Sequence, residues 1–235
     1  MVVQGLMRKD FLSRQTMISA LADRVVNVLS DALEEHGRAS LVVSGGTTPS
    51  LLFDELSDRE LDWPNVTVTL ADERWVNQDH DDSNAKLVSK HFLRGCAAKA
   101  NFIGLYTGDA TPDAGLSKLE KRLASISRPF DVVLLGMGND GHTASLFPDG
   151  DTLEACLDHQ DSRSCMSLNA PGASQPRMTL TLSALLDARE IDVLLMGQSK
   201  RDVLEAAMSG GPLGEMPIRA VLHQKRTPVT IWWAS

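Results

Sequence analysis

The sequence has few cysteines, no excess of positive charge and no long apolar run. Its three cysteines, Cys96, Cys156 and Cys165, are an odd number at wide spacings without a C-x-x-C pair, which argues against a disulfide framework and a zinc site. The formal net charge of −8 argues against nucleic-acid and anionic-membrane partners, because both select a basic face. A run of roughly 18 apolar residues, as a membrane-spanning helix needs, is missing, and so is a secretory leader pattern. We therefore expect a cytoplasmic protein without nucleic-acid or membrane partners.

Apolar strand-like runs alternate with amphipathic segments along most of the 235 residues. This alternation predicts right-handed βαβ units on a mostly parallel sheet. The predicted helices are residues 17–33, LLFDEL after Thr48-Pro49, SNAKLVSKHFL, AGLSKLEKRLASI and KRDVLEAAM. The predicted strands are ASLVV, NVTVTLADERW (65–75, as one strand), FIGL, FDVVLLG, SCMSLN, RMTLTL, IDVLLMG and VTIWWAS. No composition shift or repeat marks a boundary, so residues 1–235 are predicted to form a single domain.

Polar motifs follow four of the predicted strands. SGGTTP follows LVV, DERW follows VTVTLA, GNDGH follows VVLLG and QSK follows VLLMG. In an open parallel sheet, ligands bind outside the carboxyl ends of the strands. The four motifs are therefore expected to share one rim, and that rim is the predicted ligand site.

The first and last of these motifs have the chemistry of a phosphate cradle. In SGGTTP, the glycines let backbone N–H groups approach a ligand, the two threonines add hydroxyl donors, and the next helix directs its positive end there. The candidate ligands are Ser44, Gly45, Gly46 and Thr47, and the alternative is a tight structural turn. Lys200 lies near the start of a predicted helix, where a cation is unfavourable unless an anion is bound. The alternative for Lys200 is a solvated surface residue.

Two acids and a guanidinium stand at the end of the second of these strands. Alternation sends Asp72 and Arg74 to one side and Glu73 to the other. Arg74 has the fork geometry that binds phosphate or carboxylate, and Asp72 is a candidate for orienting a base or a sugar hydroxyl. A surface salt bridge is the alternative.

The stretch GMGNDGHTASLFP (136–148) contains G-x-G-x-x-G, the fingerprint of dinucleotide-binding turns. A dinucleotide site needs a long crossover helix directly after the turn, but Pro148 interrupts the chain soon after Gly141, so we reject that interpretation. His142 is the better candidate for the functional residue of this stretch. A histidine acts as a base near neutral pH, and Asp140 lies close by. The alternative is a histidine satisfied by structural hydrogen bonds.

In this order, SGGTTP, ADERWV, GMGNDGHTASLFP, the arginine of PRMTLT and GQSK resemble the family of 6-phosphogluconolactonases and glucosamine-6-phosphate isomerases over residues 40 to 202. The resemblance implies a Rossmann-like three-layer α/β fold and hydrolysis of 6-phospho-D-glucono-1,5-lactone, with no metal and no nucleotide cofactor. It implies His142 as general base on water. The residues that it implies for the substrate are Gly45, Gly46 and Thr47 with Arg74 and Lys200 at the phosphate, and Asp72, Asn84 and Arg177 as further pocket residues.

One departure from the family pattern separates two activities. The deaminase version of the histidine motif reads like DGHIAFNEP, with a glutamate before the proline, whereas this chain has Phe147 there. Lactone hydrolysis does not need that carboxylate. Two hypotheses rival lactone hydrolysis: a sugar-phosphate deaminase and a non-catalytic sugar-phosphate sensor. The expected partner is a small-molecule sugar phosphate, and the expected state is a monomer or homodimer.

Overall fold

The computed structural model describes residues 5–235, which form ten strands, eight α-helices and two 3₁₀ turns, Trp63–Asn65 and Gly95–Lys99. The strands are β1 (Met7–Phe11), β2 (Ala39–Val43), β3 (Val66–Leu70), β4 (Asp72–Arg74), β5 (Asn101–Ile103), β6 (Phe130–Leu135), β7 (Cys165–Leu168), β8 (Arg177–Leu180), β9 (Ala188–Met196) and β10 (Val229–Ala234). The helices are α1 (Arg14–His36), α2 (Thr47–Ser57), α3 (Asn84–His91), α4 (Pro112–Leu123), α5 (Leu153–Leu157), α6 (Leu182–Leu186), α7 (Gln198–Met208) and α8 (Ile218–Leu222). Residues 1–4 of the predicted domain lie outside this range, and the domain count stays a prediction.

Seven strands form a central sheet in the order β1-β10-β9-β6-β2-β3-β5, and every neighbouring pair is parallel. Leu41 of β2 pairs with Val68 on one side and with Val132 on the other. Every residue of β2, β6 and β10 is buried, because the sheet is covered on both faces. The predicted α/β fold, with a mostly parallel sheet flanked by helices, is confirmed.

Helix α1 shows how local sequence sets the element boundaries. Ser13 accepts a hydrogen bond from the Thr16 backbone N–H at 3.2 Å and caps the start. Gly37 ends the helix in the left-handed conformation, with φ of 68°, and its N–H donates to the Leu33 carbonyl. The apolar face predicted from residues 17–33 packs against the sheet, and all of it is buried except Val28 and Leu33, which are half-buried.

The prediction of one strand over residues 65–75 is wrong. The segment divides at Ala71 into β3, in the central sheet, and β4, which pairs antiparallel with β8 in a separate sheet of order β4-β8-β7. The Ala71 N–H donates to Val43 O at 2.8 Å, while the Ala71 carbonyl accepts from Leu180 N at 2.8 Å. One residue therefore joins both sheets through its two flanking peptide groups, and the strand changes partners there.

Strand β1 has no counterpart among the predicted elements. Its sequence, MRKDF, has four exposed residues and no apolar alternation. It forms because its backbone pairs in parallel with β10, from Met7 opposite Thr230 to Phe11 opposite Ala234. Edge pairing of this kind leaves little signal in side-chain pattern.

Among the described helices, none has the length and apolar character needed to cross a membrane.

A buried aspartate in β9 makes the stability of the fold depend on pH. Asp192 is 1% exposed; its Oδ1 accepts from Trp232 Nε1 at 2.6 Å, and its Oδ2 has no partner within residues 5–235. Burial, with the nearby charge of Glu190, raises the pKa of Asp192 to about 7 from a usual 3.8. The folded protein holds this proton more tightly than the unfolded chain does. The resulting stabilisation is therefore complete below about pH 4 and is lost as the pH rises through about 7.

We expect Asp192→Asn to raise the free energy of unfolding by about 1 to 3 kcal/mol at pH 8 and to change it little at pH 5, because the amide is neutral at both. Urea unfolding at the two pH values measures this. The matched control is Asp131→Asn, since Asp131 is also buried but its carboxylate is paired with Ser40 N at 2.8 Å and Arg189 Nε at 3.1 Å. We expect Asp131→Asn to lower the free energy of unfolding at both pH values. A loss of stability in Asp192→Asn that is larger at pH 8 than at pH 5 would contradict the assignment.

Candidate active site

A cavity of about 430 Å³ lies at the carboxyl edge of the central sheet. The turns after β2 and β6, the end of β9 and Lys200 of α7 line it together with β4, so the four polar motifs share one rim as expected. Ten of the eleven residues that we predicted for the site line the cavity: Ser44, Gly45, Gly46, Thr47, Asp72, Arg74, Asn84, His142, Arg177 and Lys200. The eleventh, Asp140, lies behind His142 and contacts its ring.

A tight turn holds the imidazole of His142 at the cavity. The Gly138 N–H donates to His142 O at 2.8 Å, and the Gly141 N–H donates to Gly138 O at 3.2 Å. Gly141 has φ of 79°, which favours glycine. A Cβ on Gly138 would lie 2.1 Å from His142 Nδ1, so only glycine admits the ring at this point. The residue type at 138 is therefore required by a close approach.

Asp140 orients the ring and selects its tautomer. Its Oδ1 lies 2.6 Å from His142 Nδ1 and accepts from the His142 backbone N–H at 3.1 Å. Burial alone would raise the pKa of the Asp140 carboxyl, but its contacts with His142 hold that pKa below the usual value. A carboxylate only accepts, so Nδ1 carries the proton. Nε2 is left to act on a ligand, and no described residue hydrogen-bonds to it.

The glycines of this turn do not begin a dinucleotide-binding unit. The next helix after β6 is α5, Leu153–Leu157, which has five residues. Thr143 and Leu146 instead form an isolated antiparallel bridge that folds the chain back on itself. The ring of Phe147 then packs on His142, with centroids 4.1 Å apart. These contacts support our rejection of the dinucleotide interpretation.

Asp72 is held in the cavity wall by two polar side chains. Ser145 Oγ donates to Asp72 Oδ2 at 2.5 Å, and Asn84 Nδ2 donates to Asp72 O at 2.9 Å. A Cβ on Gly45 would lie 1.8 Å from Asn84 Oδ1, so Gly45 makes room for this asparagine. Sequence reasoning missed Ser145, because its motif placed it near His142 and nothing in the chain linked it to Asp72.

Glu73 points away from the cavity, as alternation predicts, and it has a structural task that the sequence did not reveal. It is fully buried, and its carboxylate accepts from the backbone N–H groups of Asn84 at 2.7 Å and Ala85 at 2.8 Å. Burial raises the pKa of Glu73, although these N–H donors oppose the shift. The contacts anchor the start of α3 and so place Asn84 in the cavity wall.

Two helices direct their N-termini at the cavity. Both α2 and α7 follow a glycine N-cap, Gly46 with φ of 115° and Gly197 with φ of 89°. A glycine has no side chain with which to cap, so the first N–H groups of both helices are available to a ligand. By contrast, α1, α3, α4 and α6 are capped by a serine or threonine hydroxyl. Residues 46–48 and Lys200 bring both helix starts into the cavity wall.

Three cations line the same cavity. Lys200 Nζ donates to Met137 O at 2.7 Å, and burial lowers the pKa of Lys200 although Asp140 opposes the shift. Arg74 Nη1 donates to Asp82 O at 2.6 Å. Arg177 is 7% exposed, lies over the Phe147 ring at 5.4 Å, and has a pKa lowered by burial. In a chain of net charge −8, these side chains form a local anion-binding surface.

The polar side chains of the described residues do not have the grouping that a metal site requires. Within residues 5–235, no three His, Cys, Asp or Glu side chains are grouped as ligands for one ion. The polar groups at the cavity are three cations, amides, hydroxyls, the His142–Asp140 pair and one further carboxylate, Asp72. This donor set suits an anion better than a cation.

The amino-acid sequence is similar to a known protein family and to individual curated proteins. The sequence profile of the glucosamine-6-phosphate isomerases/6-phosphogluconolactonase family matches residues 12–232. The chain belongs to this family. A 6-phosphogluconolactonase of Rhizobium meliloti (strain 1021) is 46% identical over 95% of this chain and 97% of its own length. One of Pseudomonas putida is 45% identical over 95% of this chain and 91% of its own.

Solved structures of family members have the same fold. A crystal structure of a 6-phosphogluconolactonase from Shewanella baltica OS155 superposes with a TM-score of 0.96, at 42% identity, over the whole of both chains. One from Trypanosoma brucei superposes with a TM-score of 0.81 at 22% identity, covering 97% of this chain and 95% of its own. The second likeness concerns the fold alone. The resemblance inferred from the ordered motifs is confirmed.

Gly138 and Gly136 offer a matched test of the turn geometry. We expect Gly138→Ala to displace the His142 ring and to lower the free energy of unfolding by about 1 to 3 kcal/mol, because the new Cβ overlaps Nδ1. Gly136→Ala, where nothing lies within 4 Å of the new Cβ, should leave the ring in place. Crystal structures and urea unfolding of both variants measure this. An unmoved imidazole in Gly138→Ala would contradict the close-approach argument.

Proposed function

We propose that this protein hydrolyses 6-phospho-D-glucono-1,5-lactone to 6-phospho-D-gluconate, with His142 as general base. The observation that carries the proposal is the position of His142, whose Nδ1 is held by Asp140, in the same cavity as three cations and two helix N-termini. The predicted enzyme class, a lactonase, is confirmed by curated relatives of that name at 36% to 46% identity. These relatives also support a role in the pentose phosphate pathway.

In the proposed reaction, Nε2 of neutral His142 removes a proton from water while the water oxygen attacks the lactone carbonyl carbon. The carbonyl oxygen becomes an oxyanion, and its collapse breaks the bond from that carbon to the ring oxygen. The imidazolium returns the proton to the departing oxygen. Asp140 stabilises the imidazolium through Nδ1. General-base assistance typically contributes 10²- to 10⁴-fold, and fixed donors around the oxyanion contribute more.

The phosphate group of the substrate is proposed to bind at the far end of the cavity. Gly45, Gly46 and Thr47 supply N–H and hydroxyl donors there, and Lys200 and Arg74 supply charge. The free N–H groups at the starts of α2 and α7 support this assignment. Anchoring the phosphate orients the lactone over His142. Asp72 and Asn84 are assigned to the wall between the two ends, whereas Arg177, which lies opposite Arg74 in the β4–β8 pairing, is assigned to the phosphate end.

The proposed route uses neither a metal nor a covalent intermediate. The two buried thiols are poor nucleophiles, because burial raises the pKa of Cys156 to about 11 and also raises that of Cys165. The sequence has no G-x-S-x-G motif. The cytoplasmic location and the monomeric or dimeric state stay predictions.

The deaminase of the same family is the rival activity. Its motif carries a glutamate where this chain has Phe147, and the Phe147 ring lies against His142 with centroids 4.1 Å apart. An apolar ring in this place supports lactone hydrolysis over ring opening of an amino sugar. Ammonia release from glucosamine 6-phosphate would favour the deaminase. Binding of 6-phosphogluconate without turnover of the lactone would favour a sensor.

We expect His142→Gln to lower kcat for lactone hydrolysis by about 10² to 10⁴ and to leave substrate binding nearly unchanged, because the base acts in the transition state. A coupled assay with freshly generated lactone, corrected for spontaneous hydrolysis, measures it. His91→Gln is the matched control, since His91 Nδ1 also contacts an aspartate, Asp54, at 3.0 Å but lies outside the cavity. A His142→Gln variant that keeps near-native kcat would remove His142 as the base.

We expect the replacement of Lys200 to raise KM for the lactone. We expect Lys200→Ala to raise KM by about tenfold or more with a smaller change in kcat, because phosphate binding is shared by the ground and transition states. The comparison is Lys118→Ala: this lysine also donates to a backbone carbonyl, Thr107 O at 2.9 Å, but it is remote from the cavity. Equal KM values for both variants and the parent would show that Lys200 does not bind phosphate.

A further inference from the structure

Arg177 is a buried cation with unused donors. It is 7% exposed, and its Nε is buried without a partner among residues 5–235. The carboxylate that faces it belongs to Asp72, and Asp72 Oδ2 lies 4.0 Å from Arg177 Nη1. This separation exceeds the roughly 2.7–2.9 Å of a charge-assisted hydrogen bond. Arg219, which is equally buried and also has an unpartnered Nε, differs in that its Nη1 donates to Pro212 O at 2.9 Å. Two opposite charges thus face each other in the cavity wall without closing into a hydrogen-bonded pair.

Ser145 binds the carboxylate oxygen that faces Arg177. Its Oγ donates to the same oxygen, Asp72 Oδ2, at 2.5 Å. Ser145 is fully buried, and its backbone N–H donates to Thr179 Oγ1 at 3.3 Å, so the origin of the hydroxyl is fixed by β8. Asn84 Nδ2 holds the backbone carbonyl of Asp72 at 2.9 Å and lies 3.4 Å from Oδ1. Hydrogen-bond donors therefore lie at both carboxylate oxygens of Asp72.

We propose that Ser145 is a positioning residue whose hydroxyl holds Asp72 off Arg177 and so keeps the guanidinium free for the anionic substrate. The proposal rests on the proposed function for the identity of that substrate. Without the hydroxyl, Asp72 Oδ2 would lose its donor in a buried site, where an unsatisfied acceptor is unfavourable. The unused donors of Arg177 are about 1 Å too far away, which a small side-chain shift closes. The resulting ion pair would compete with the ligand for Arg177.

The position of Ser145 links two parts of the site. It lies three residues after His142 on the same turn, and it hydrogen-bonds to Thr179 of β8 and to Asp72 of β4. The turn that carries the base thus also sets the availability of the anion ligand. A substitution at Ser145 is expected to change ligand affinity and to leave the base in place, since the hydroxyl has no contact with the His142 ring.

A double-mutant cycle with inorganic phosphate as the probe tests the proposal. Calorimetric titration of the parent, Ser145→Ala, Asp72→Asn and the double variant gives four dissociation constants. We expect Ser145→Ala to weaken phosphate binding by about tenfold in the parent. In the Asp72→Asn background, the same change should alter affinity by less than about twofold, because no carboxylate is left to capture Arg177. A purely structural role for Ser145 would give the same factor in both backgrounds, and that result would overturn the proposal.

Ser40→Ala is the matched control, because Ser40 is also buried and its hydroxyl donates to an aspartate, Asp131, at 3.1 Å, but outside the cavity. It should leave phosphate affinity unchanged. In lactone hydrolysis, Ser145→Ala should raise KM by the same factor as the phosphate constant, with kcat within about threefold and its pH profile unchanged. A parent protein that binds phosphate but does not hydrolyse the lactone would refute only the proposed function. Unaltered phosphate affinity in Ser145→Ala would refute only the role of Ser145.

Discussion

The pair of backbone hydrogen bonds made by Ala71 is the constraint on which the site depends. The N–H of this residue pairs with the end of β2 and its carbonyl with β8, so the small antiparallel sheet docks at the carboxyl edge of the large parallel one. Asp72 and Arg74 follow at once, and the β4–β8 pairing sets Arg177 opposite Arg74. Without this change of partners, the strand would end at the rim, and the cavity would lose one wall. A sheet edge alone provides a shallow site; the second sheet turns it into a cavity of about 430 Å³.

Electrostatics in the cavity depends on keeping opposite charges partly apart. Over most of the surface, arginines are paired with acids, as Arg8 is with Glu205 and Arg94 with Asp54. Inside the cavity, Lys200 donates to a backbone carbonyl, and Asp72 is bound by Ser145 and Asn84. Arg177 consequently keeps donors for a ligand, at the expense of burying a charge whose pKa is lowered by desolvation. A chain of net charge −8 thereby presents a cationic pocket.

Glycine serves the site in two distinct ways. At Gly46, Gly141 and Gly197, positive φ values let the chain turn from strand to helix or around the histidine. At Gly45 and Gly138, the backbone is ordinary, and the missing Cβ makes room for Asn84 and His142. The first kind follows from motif chemistry, whereas the second kind depends on which side chain arrives from elsewhere in the fold.

The amino-acid sequence by itself determined the α/β class, most helices and buried strands, the family, and ten of the residues that line the cavity, because these depend on local periodicity, caps and ordered motifs. Roles assigned to those residues stay predictions. The tertiary structure decided what depends on pairing between distant segments: the break at Ala71, the edge strand β1, the antiparallel setting of β7 and β8, the burial of Asp192 and the bond from Ser145 to Asp72. A contact across 73 positions leaves no trace in local pattern, since neither side chain there is unusual for its own segment.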